Sequence, residues 1–203
     1  MRILTHYSGV FLTLCMLYSV QNIASPAAND KLTLCVACHA TNSQPINPLW
    51  PTLAGQHASY LIKQLHDYQT GKTRQDPTMQ AITATLSEED IKALAQIYAQ
   101  TPAPLRTHQA PQASRGEILY RYGDRKARIP ACMTCHGPHG IGNAQANFPV
   151  IAGQQPAYTI QQLLNFKQET RRNDLNHIMR DISQRLSKKD RQELAEYLFR
   201  SLN

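Results

Sequence analysis

Two motifs of the form Cys-x-x-Cys-His stand almost a hundred residues apart in this chain. Their reactive residues are Cys35, Cys38 and His39 in the first motif and Cys132, Cys135 and His136 in the second. On a helical turn the two thiols point to one side, where each can add to a vinyl group of one porphyrin, and the adjacent imidazole can face the iron. The motifs therefore predict two covalently bound haem c groups, with the cysteines as attachment points and the histidines as iron ligands.

Three other roles for the cysteines explain less of the pattern. Zinc would need four ligands drawn from both motifs and gives no reason for a histidine at the next position. A redox-active dithiol precedes a helix in a fold that contains strands, and this sequence has no alternating strand pattern of useful length. Disulfides within a motif would close very short loops, which stabilise a fold little.

The second axial ligand of each iron can be narrowed by elimination. Of the five methionines, two belong to the N-terminal segment and one lies between two anchoring cysteines, which leaves Met79 and Met179. Pro77 is expected to hold Met79 in an extended loop just before a helix, with Met179 at the matching place. We expect both to be iron ligands. His177 is the competing ligand in the second half, and core packing is the competing role of a lone methionine.

The chain is a tandem duplication. It superposes on itself at an offset of 97 to 100 residues, so that Pro-Thr-Leu-Ala-Gly-Gln at 51–56 falls on Pro-Val-Ile-Ala-Gly-Gln at 149–154. Between the copies, residues 101–113 contain three prolines and no helical period. We predict a first domain at 29–100, a linker at 101–113 and a second domain at 114–203.

Helical patterns position these motifs. Apolar residues recur at spacings of three and four, as at Leu61, Leu65 and Tyr68. A Ser-x-x-acid pattern, which caps the start of a helix, occurs at Ser87, Ser114 and Ser187. Residues 29–34 are too few for a helix before Cys35 unless preceding residues contribute. The prediction is an all-α protein, each half a small helical bundle around one covalent haem.

The N-terminal segment has the form of a secretory signal peptide. Arg2 precedes a charge-poor run and then small residues up to Ala28, which predicts cleavage near residue 28 and a periplasmic mature protein. Cys15 is preceded by a bulky leucine, which disfavours lipid attachment. An uncleaved segment would instead associate the protein peripherally with the membrane. No later apolar run approaches the ~20 residues of a membrane span.

The net positive charge of residues 29–203 lies wholly in the second half. Residues 29–110 contain six basic and six acidic side chains, whereas residues 111–203 contain fourteen and eight. Export, and the lack of a dense basic run with interleaved aromatic residues, exclude nucleic acid as the partner. We expect an acidic redox partner to approach the second half first, with Arg125, Lys126 and Arg128 as candidate contacts.

The ordered motifs resemble those of the cytochrome c4 family across residues 29–203. The first half contributes Cys-Val-Ala-Cys-His at 35–39, the Pro-Thr-Leu-Ala-Gly-Gln-His run at 51–57 and Asp-Pro-Thr-Met at 76–79. The second contributes Ile-Pro-Ala-Cys-Met-Thr-Cys-His-Gly at 129–137, Phe-Pro at 148–149 and Arg-Asn-Asp at 172–174. The resemblance implies two tandem class I cytochrome c domains in a monomeric periplasmic electron carrier that passes electrons between respiratory-chain components, towards a terminal oxidase or reductase.

Ligation by histidine and methionine would leave the iron no open position for a substrate, so we expect an electron carrier rather than an enzyme. Two alternatives remain: a dihaem peroxidase, which needs a vacant position on one iron, and a haem subunit of a larger membrane oxidoreductase. Candidate contacts to the haem propionates or to the ligands are Tyr60, Tyr158, Gln64, Gln162, Arg74 and Arg172.

Overall fold

The structure is a computed structural model that describes residues 26–40, 45–103 and 114–201. Within these residues the secondary structure is helical, and β-pairing is limited to three isolated bridges. The helices of the first half are α1 (Pro26–His39), α2 (Ala58–Thr70), α3 (Pro77–Thr83) and α4 (Glu88–Gln100). Those of the second half are α5 (Arg115–Tyr122), α6 (Met133–His136), α7 (Pro156–Lys167), α8 (Ile178–Arg185) and α9 (Lys188–Ser201), with a 3₁₀ turn at Leu175–His177 before α8. No helix in the described ranges is long and apolar enough to cross a membrane.

The two halves repeat one architecture, with α2, α3 and α4 corresponding to α7, α8 and α9. In the first half the core is built around Leu61, Leu94 and Tyr98, which are almost fully buried. In the second half Leu119 and Leu194 occupy the core with their neighbours. Each half therefore has its own apolar core, as the duplication predicts.

Capping residues set where the helices begin. The Ser87 hydroxyl accepts from the backbone N–H of Asp90, whose carboxylate accepts from the N–H of Ser87, which forms a complete capping box. Ser187 and Asp190 repeat the box at α9. Ser114 caps α5 by accepting from the N–H of Glu117. The three predicted caps are confirmed.

The two Cys-x-x-Cys-His motifs lie in different helical settings. In the first half α1 begins at Pro26, so the end of the predicted signal segment supplies the missing helix length, and the motif forms its last turns. The rest of that segment lies outside the described residues. In the second half α5 ends at Tyr122, because Gly123 after it has a φ of 70°, and the motif occupies the separate short helix α6.

The expectation of an extended loop at Met79 is wrong. Pro77 is the first residue of α3, and Met79 lies in its first turn, where its backbone N–H donates to the Asp76 carboxylate at 2.9 Å. The reason is that proline lacks only an N–H that the first turn does not use, and its fixed φ suits a helix start. Met179 is likewise inside α8, as its second residue.

The halves meet along an interface that follows the duplication. The Gln56 amide donates to the Val150 carbonyl at 2.8 Å and accepts from the Val150 N–H at 2.9 Å. Gln154, its counterpart, makes the same pair of bonds with the backbone of Thr52, at 3.1 and 2.9 Å. Each half thus offers the same surface to the other, as in a twofold dimer. Residues 104–113 of the predicted linker lie outside the described residues.

Gly116 allows α5 to lie against α9, which generates a testable prediction. A Cβ at this position would meet the backbone carbonyl of Glu193 and lie 2.9 Å from the Cβ of Tyr197. We expect Gly116→Ala to push the helices apart and lower the free energy of unfolding by about 1–3 kcal/mol. Thermal denaturation of the haem-loaded protein measures this. Gln192→Ala, at an exposed position of α9, is the control and should change it by less than about 0.5 kcal/mol; equal effects would contradict the packing argument.

Candidate haem sites

A cavity of about 1070 Å³ extends through both halves of the molecule. Of the eight predicted haem-binding side chains, seven line it: Cys35, His39, Met79, Cys132, Cys135, His136 and Met179. Cys38 does not line the cavity and lies half-buried three residues after Cys35 on α1. Most of the remaining wall is apolar, including Leu61, Leu94 and Leu186. The fold therefore brings together nearly all the side chains that the two motifs and the methionines predict.

The two motif histidines are held in a metal-binding tautomer. The Nδ1 atom of His39 lies 3.0 Å from the carbonyl oxygen of Pro51, and that of His136 lies 3.0 Å from the carbonyl of Pro149. Because a carbonyl only accepts, Nδ1 carries the proton, and Nε2 keeps its lone pair for a metal. Burial lowers the pKa of both imidazoles, which keeps them neutral.

The role of the prolines was missed at the sequence level. Pro51 and Pro149 belong to the repeated segment, but a backbone acceptor leaves no mark on residue type, so the repeat alone could not identify its function. Their equivalent hydrogen bonds indicate that both halves orient a histidine in the same way.

The cysteine environment disfavours the competing roles. Burial raises the pKa of the Cys35 thiol and raises that of Cys132 to about 11, so neither is a reactive thiolate at neutral pH. The four motif cysteines form no disulfide. Within the part of the chain that the structure describes, no three His, Cys, Asp or Glu side chains converge as a zinc site would require.

The methionines and His177 differ in position. Met79 and Met179 are half-buried and line the cavity, whereas His177 is exposed and does not. Asn176 and His177 both adopt left-handed backbone angles, with φ of 49° and 62°. Asp174 closes this turn: it accepts from the N–H of Arg180 at 3.0 Å and from its Nε at 2.7 Å, in a buried ion pair. The geometry favours Met179 over His177 at the cavity.

A buried polar cluster joins the halves beside the cavity. Arg74 stacks on the ring of Tyr68, and Arg171 on the ring of Phe166, with the guanidinium carbon 4.5 Å from each ring centroid. Arg74 donates to the hydroxyl of Tyr158 in the other half at 2.7 Å. Arg171 donates to the hydroxyl of Tyr60 at 2.8 Å, and Gln64 accepts from both arginines. The contacts are related by the same pseudo-twofold as the interface.

Arg74 and Arg171 have no carboxylate partner among the described residues, although they are only 4% and 6% exposed. Burial alone would raise the pKa of Tyr60, but the charges of Arg171 and Arg74 hold it below its ordinary value. Two adjacent buried cations require an anion nearby, because desolvated charge is costly without a counterion. Both line the cavity, so the carboxylates of haem propionates fit this place.

Arg172 lines the cavity, so the contact predicted for it stays a prediction; Arg171 lines the cavity as well and was not predicted. Arg172 is exposed, and its backbone N–H donates to the carbonyl of Thr73 across the interface at 2.7 Å. The counterpart of Arg74 is Arg171, which pairs with it in an antiparallel bridge. The turn after α7 is one residue shorter than the turn after α2. After α2, Arg74 lies three residues beyond the left-handed Gly71; after α7, Arg171 lies two residues beyond the left-handed Glu169.

Comparisons with known proteins agree with this arrangement. The family model for cytochrome c matches residues 31–96 and 115–201. Cytochrome c4 of Thiocapsa roseopersicina is 37% identical over 81% of this chain and 85% of its own length. A thiosulfate dehydrogenase electron acceptor of Stutzerimonas stutzeri is 37% identical over 84% of this chain and 80% of its own. The crystal structure of reduced recombinant cytochrome c4 from Pseudomonas stutzeri is also similar, with a TM-score of 0.80 and 35% sequence identity. The match includes 86% of this chain and 97% of the crystallised chain.

The family model matches the chain twice, once in each half, and the similarity to cytochrome c4 proteins extends over most of the chain. The predicted all-α fold, the two haem c groups and the role of electron carrier rather than enzyme are confirmed. The chain belongs to the cytochrome c family and, within it, to the cytochrome c4 proteins, which transfer electrons through two covalently bound haems.

Proposed function

We propose that each half holds one haem with histidine and methionine as axial ligands. Cys35 and Cys38 attach the first haem, whose ligands are His39 and Met79. In the second half, Cys132 and Cys135 are the attachment points and His136 and Met179 are the ligands. The observation that carries this proposal is the repeated hydrogen bond from histidine Nδ1 to a proline carbonyl, which leaves Nε2 free at one cavity in both halves.

These ligands determine what the protein can do. Haem iron supplies one-electron chemistry, and methionine as the axial ligand raises its potential. The chain's own part is to fill both axial positions, exclude water with apolar side chains such as Leu94 and Leu194, and offer buried cations at Arg74 and Arg171. A site with both axial positions filled has no place for a substrate, which argues against the peroxidase alternative.

We further propose that the protein carries electrons in the periplasm between respiratory-chain components, as a monomer. The charge-poor N-terminal segment supports export. The interface between the halves buries their equivalent faces against each other, so a second chain is not needed to cover them. Partners would be membrane oxidoreductases, terminal oxidases or reductases.

A second candidate is a permanent haem subunit of an oxidoreductase. It is favoured by the similarity to a protein named as the electron acceptor of thiosulfate dehydrogenase, because that name links the relative to one particular enzyme. Purification from the native membrane and periplasmic fractions with a high-salt wash separates the candidates, because a free carrier should elute alone and a subunit should retain its partner.

Attachment can be tested by mass. We expect Cys132→Ser with Cys135→Ser to abolish attachment in the second half only, because a thioether needs a thiol at each vinyl group. The denatured protein should then retain one haem instead of two, and the equivalent change at Cys35 and Cys38 should also leave one. Intact-protein mass spectrometry measures this. Loss of both haems in a variant that is still folded by circular dichroism would contradict independent sites.

The methionine ligands can be tested by spectroscopy. Met79→Ala and Met179→Ala should each open one axial position without detaching the haem, because the thioethers remain. We expect half of the ferric Met–iron absorption to disappear in each variant. His177→Ala is the control and should leave the absorption unchanged. An unchanged spectrum for Met179→Ala, together with a changed one for His177→Ala, would assign the ligand to His177.

The buried arginines can be tested by redox titration. Reduction adds negative charge, which a nearby cation stabilises, so Arg171→Gln should lower the potential of at least one haem. The expected decrease is on the order of 50 mV, given that about 59 mV is a tenfold change for one electron. Arg200→Gln removes the same charge from an exposed position that does not line the cavity and should shift the potential by less than about 15 mV. Equal shifts would contradict a buried role for Arg171.

A further inference from the structure

The cavity wall of the first half contains a buried hydroxyl that has no hydrogen-bond partner among the described residues. Two polar atoms of this kind belong to described side chains that line the cavity, the hydroxyl of Tyr98 and the Oδ1 atom of Asn147. Tyr98 is the more deeply buried of the two, since it is 3% exposed and Asn147 is half-buried. A buried polar group without a partner is rare and costs free energy, so the hydroxyl of Tyr98 requires an explanation.

The surroundings of Tyr98 are apolar. It lies on α4 in a cluster with Leu61 and Ala95, against which Leu53 and Cys35 pack. A water molecule bound there would need further polar partners of its own, which apolar side chains cannot supply. Burial raises the pKa of Tyr98, so its hydroxyl keeps its proton and remains a hydrogen-bond donor. The missing partner is therefore an acceptor.

Tyr98 has an apolar counterpart in the second half. The Tyr98 carbonyl accepts from the N–H of Gly55 at 3.0 Å, and the Leu198 carbonyl accepts from the N–H of Gly153 at 2.9 Å. Tyr98 and Leu198 therefore occupy equivalent positions, and both line the cavity. Because leucine fills this position in the second half, the fold itself does not need a hydroxyl here.

Tyr120 shows how the protein can satisfy a buried tyrosine by itself. It is fully buried in the second half and does not line the cavity. Its hydroxyl donates to the carbonyl of Gly137 at 2.5 Å. Tyr98 lines the cavity and lacks such a bond, so we expect its acceptor on the group that the cavity binds.

We propose that the Tyr98 hydroxyl donates a hydrogen bond to the haem of the first half and raises the potential of that haem. The proposal rests on the proposed attachment of this haem at Cys35 and Cys38. Haem brings two kinds of acceptor: the thioether sulfur formed at Cys35, which packs against the same cluster, and the propionate carboxylates. A hydrogen bond to either draws negative charge away from the iron, which favours the ferrous state.

The first test is a redox titration of the haem-loaded Tyr98→Phe variant, which loses the hydroxyl and keeps the ring. One of the two haems should become harder to reduce. Its equilibrium constant for reduction should fall about threefold, which corresponds to about 30 mV at about 59 mV per tenfold change for one electron. Unchanged potentials for both haems would overturn the proposal.

Tyr120→Phe is the matched control. It removes a hydroxyl that already has a partner in the protein, from a residue that does not line the cavity. The potential that Tyr98→Phe lowers should be unaffected by Tyr120→Phe. An equal decrease of that potential in both variants would mean that any buried hydroxyl has this effect, which would contradict a bond from Tyr98 to the haem.

Thermal denaturation of the same variant gives a readout whose sign depends on the bond. If the Tyr98 hydroxyl binds the haem, Tyr98→Phe removes a hydrogen bond and lowers the denaturation midpoint. If the hydroxyl has no partner, the same change removes an unsatisfied buried group and leaves the midpoint unchanged or raises it. The proposal requires the lower midpoint.

Resonance Raman spectroscopy identifies the acceptor. In Tyr98→Phe, a shifted C–S stretching band would assign it to the thioether sulfur, and a shifted propionate bending band would assign it to a carboxylate. A lowered potential with neither band shifted would mean that the hydroxyl acts through space without a bond, which would overturn the proposal. Intact mass keeps this test apart from the proposed function: failure of the unmodified protein to bind haem at Cys35 and Cys38 would count against the attachment itself, whereas Tyr98→Phe should still carry two haems.

Discussion

Two buried arginines at the interface between the halves, Arg74 and Arg171, are the constraint on which the rest of the structure depends. Each stacks on an aromatic ring of its own half and donates to a tyrosine of the other, so neither half alone satisfies its arginine. The two guanidinium groups are adjacent and buried, and neither pairs with a carboxylate among the described residues. Burying such charges costs desolvation free energy unless an anion lies nearby. Both arginines line the cavity, so the carboxylates of a haem bound there would supply that anion and would couple haem binding to the docking of the two halves.

The duplication explains why one interface can serve both halves. Gln56 and Gln154 form the same pair of backbone bonds in opposite directions, and the two histidines take their orientation from equivalent prolines. Once one copy can position a haem, a second copy adds another with the same local rules. The copies differ elsewhere: the first motif ends a long helix, whereas the second forms a short one, and α9 begins with Lys188 and Lys189 where α4 begins with Glu88 and Glu89.

Local rules explain which parts of this fold a sequence can predict. Helix caps at Ser87 and Ser187 and the two Cys-x-x-Cys-His motifs act within a few residues, so residue type and spacing are sufficient to identify them. The extended loop expected at Met79 was wrong because Pro77 has two compatible roles, breaking a helix or beginning one, and the cap from Asp76 selects the second. Arg171 was missed for a similar reason, since one residue fewer in a turn changes which arginine is buried.

The sequence alone determined the number of haems, the all-α class and the side chains able to bind iron, because these depend on residue chemistry at short spacing. It also revealed the duplication, because the two copies share their residues in the same order. Tertiary structure alone decided that the prolines at 51 and 149 orient the histidines, that Arg171 instead of Arg172 pairs with Arg74, and that His177 lies outside the cavity. It also joined the turn at 125–128 to the end of α8 through Arg185. These features rest on backbone carbonyls and on contacts between residues far apart in the chain, whose partners are set by packing and leave no pattern in residue type.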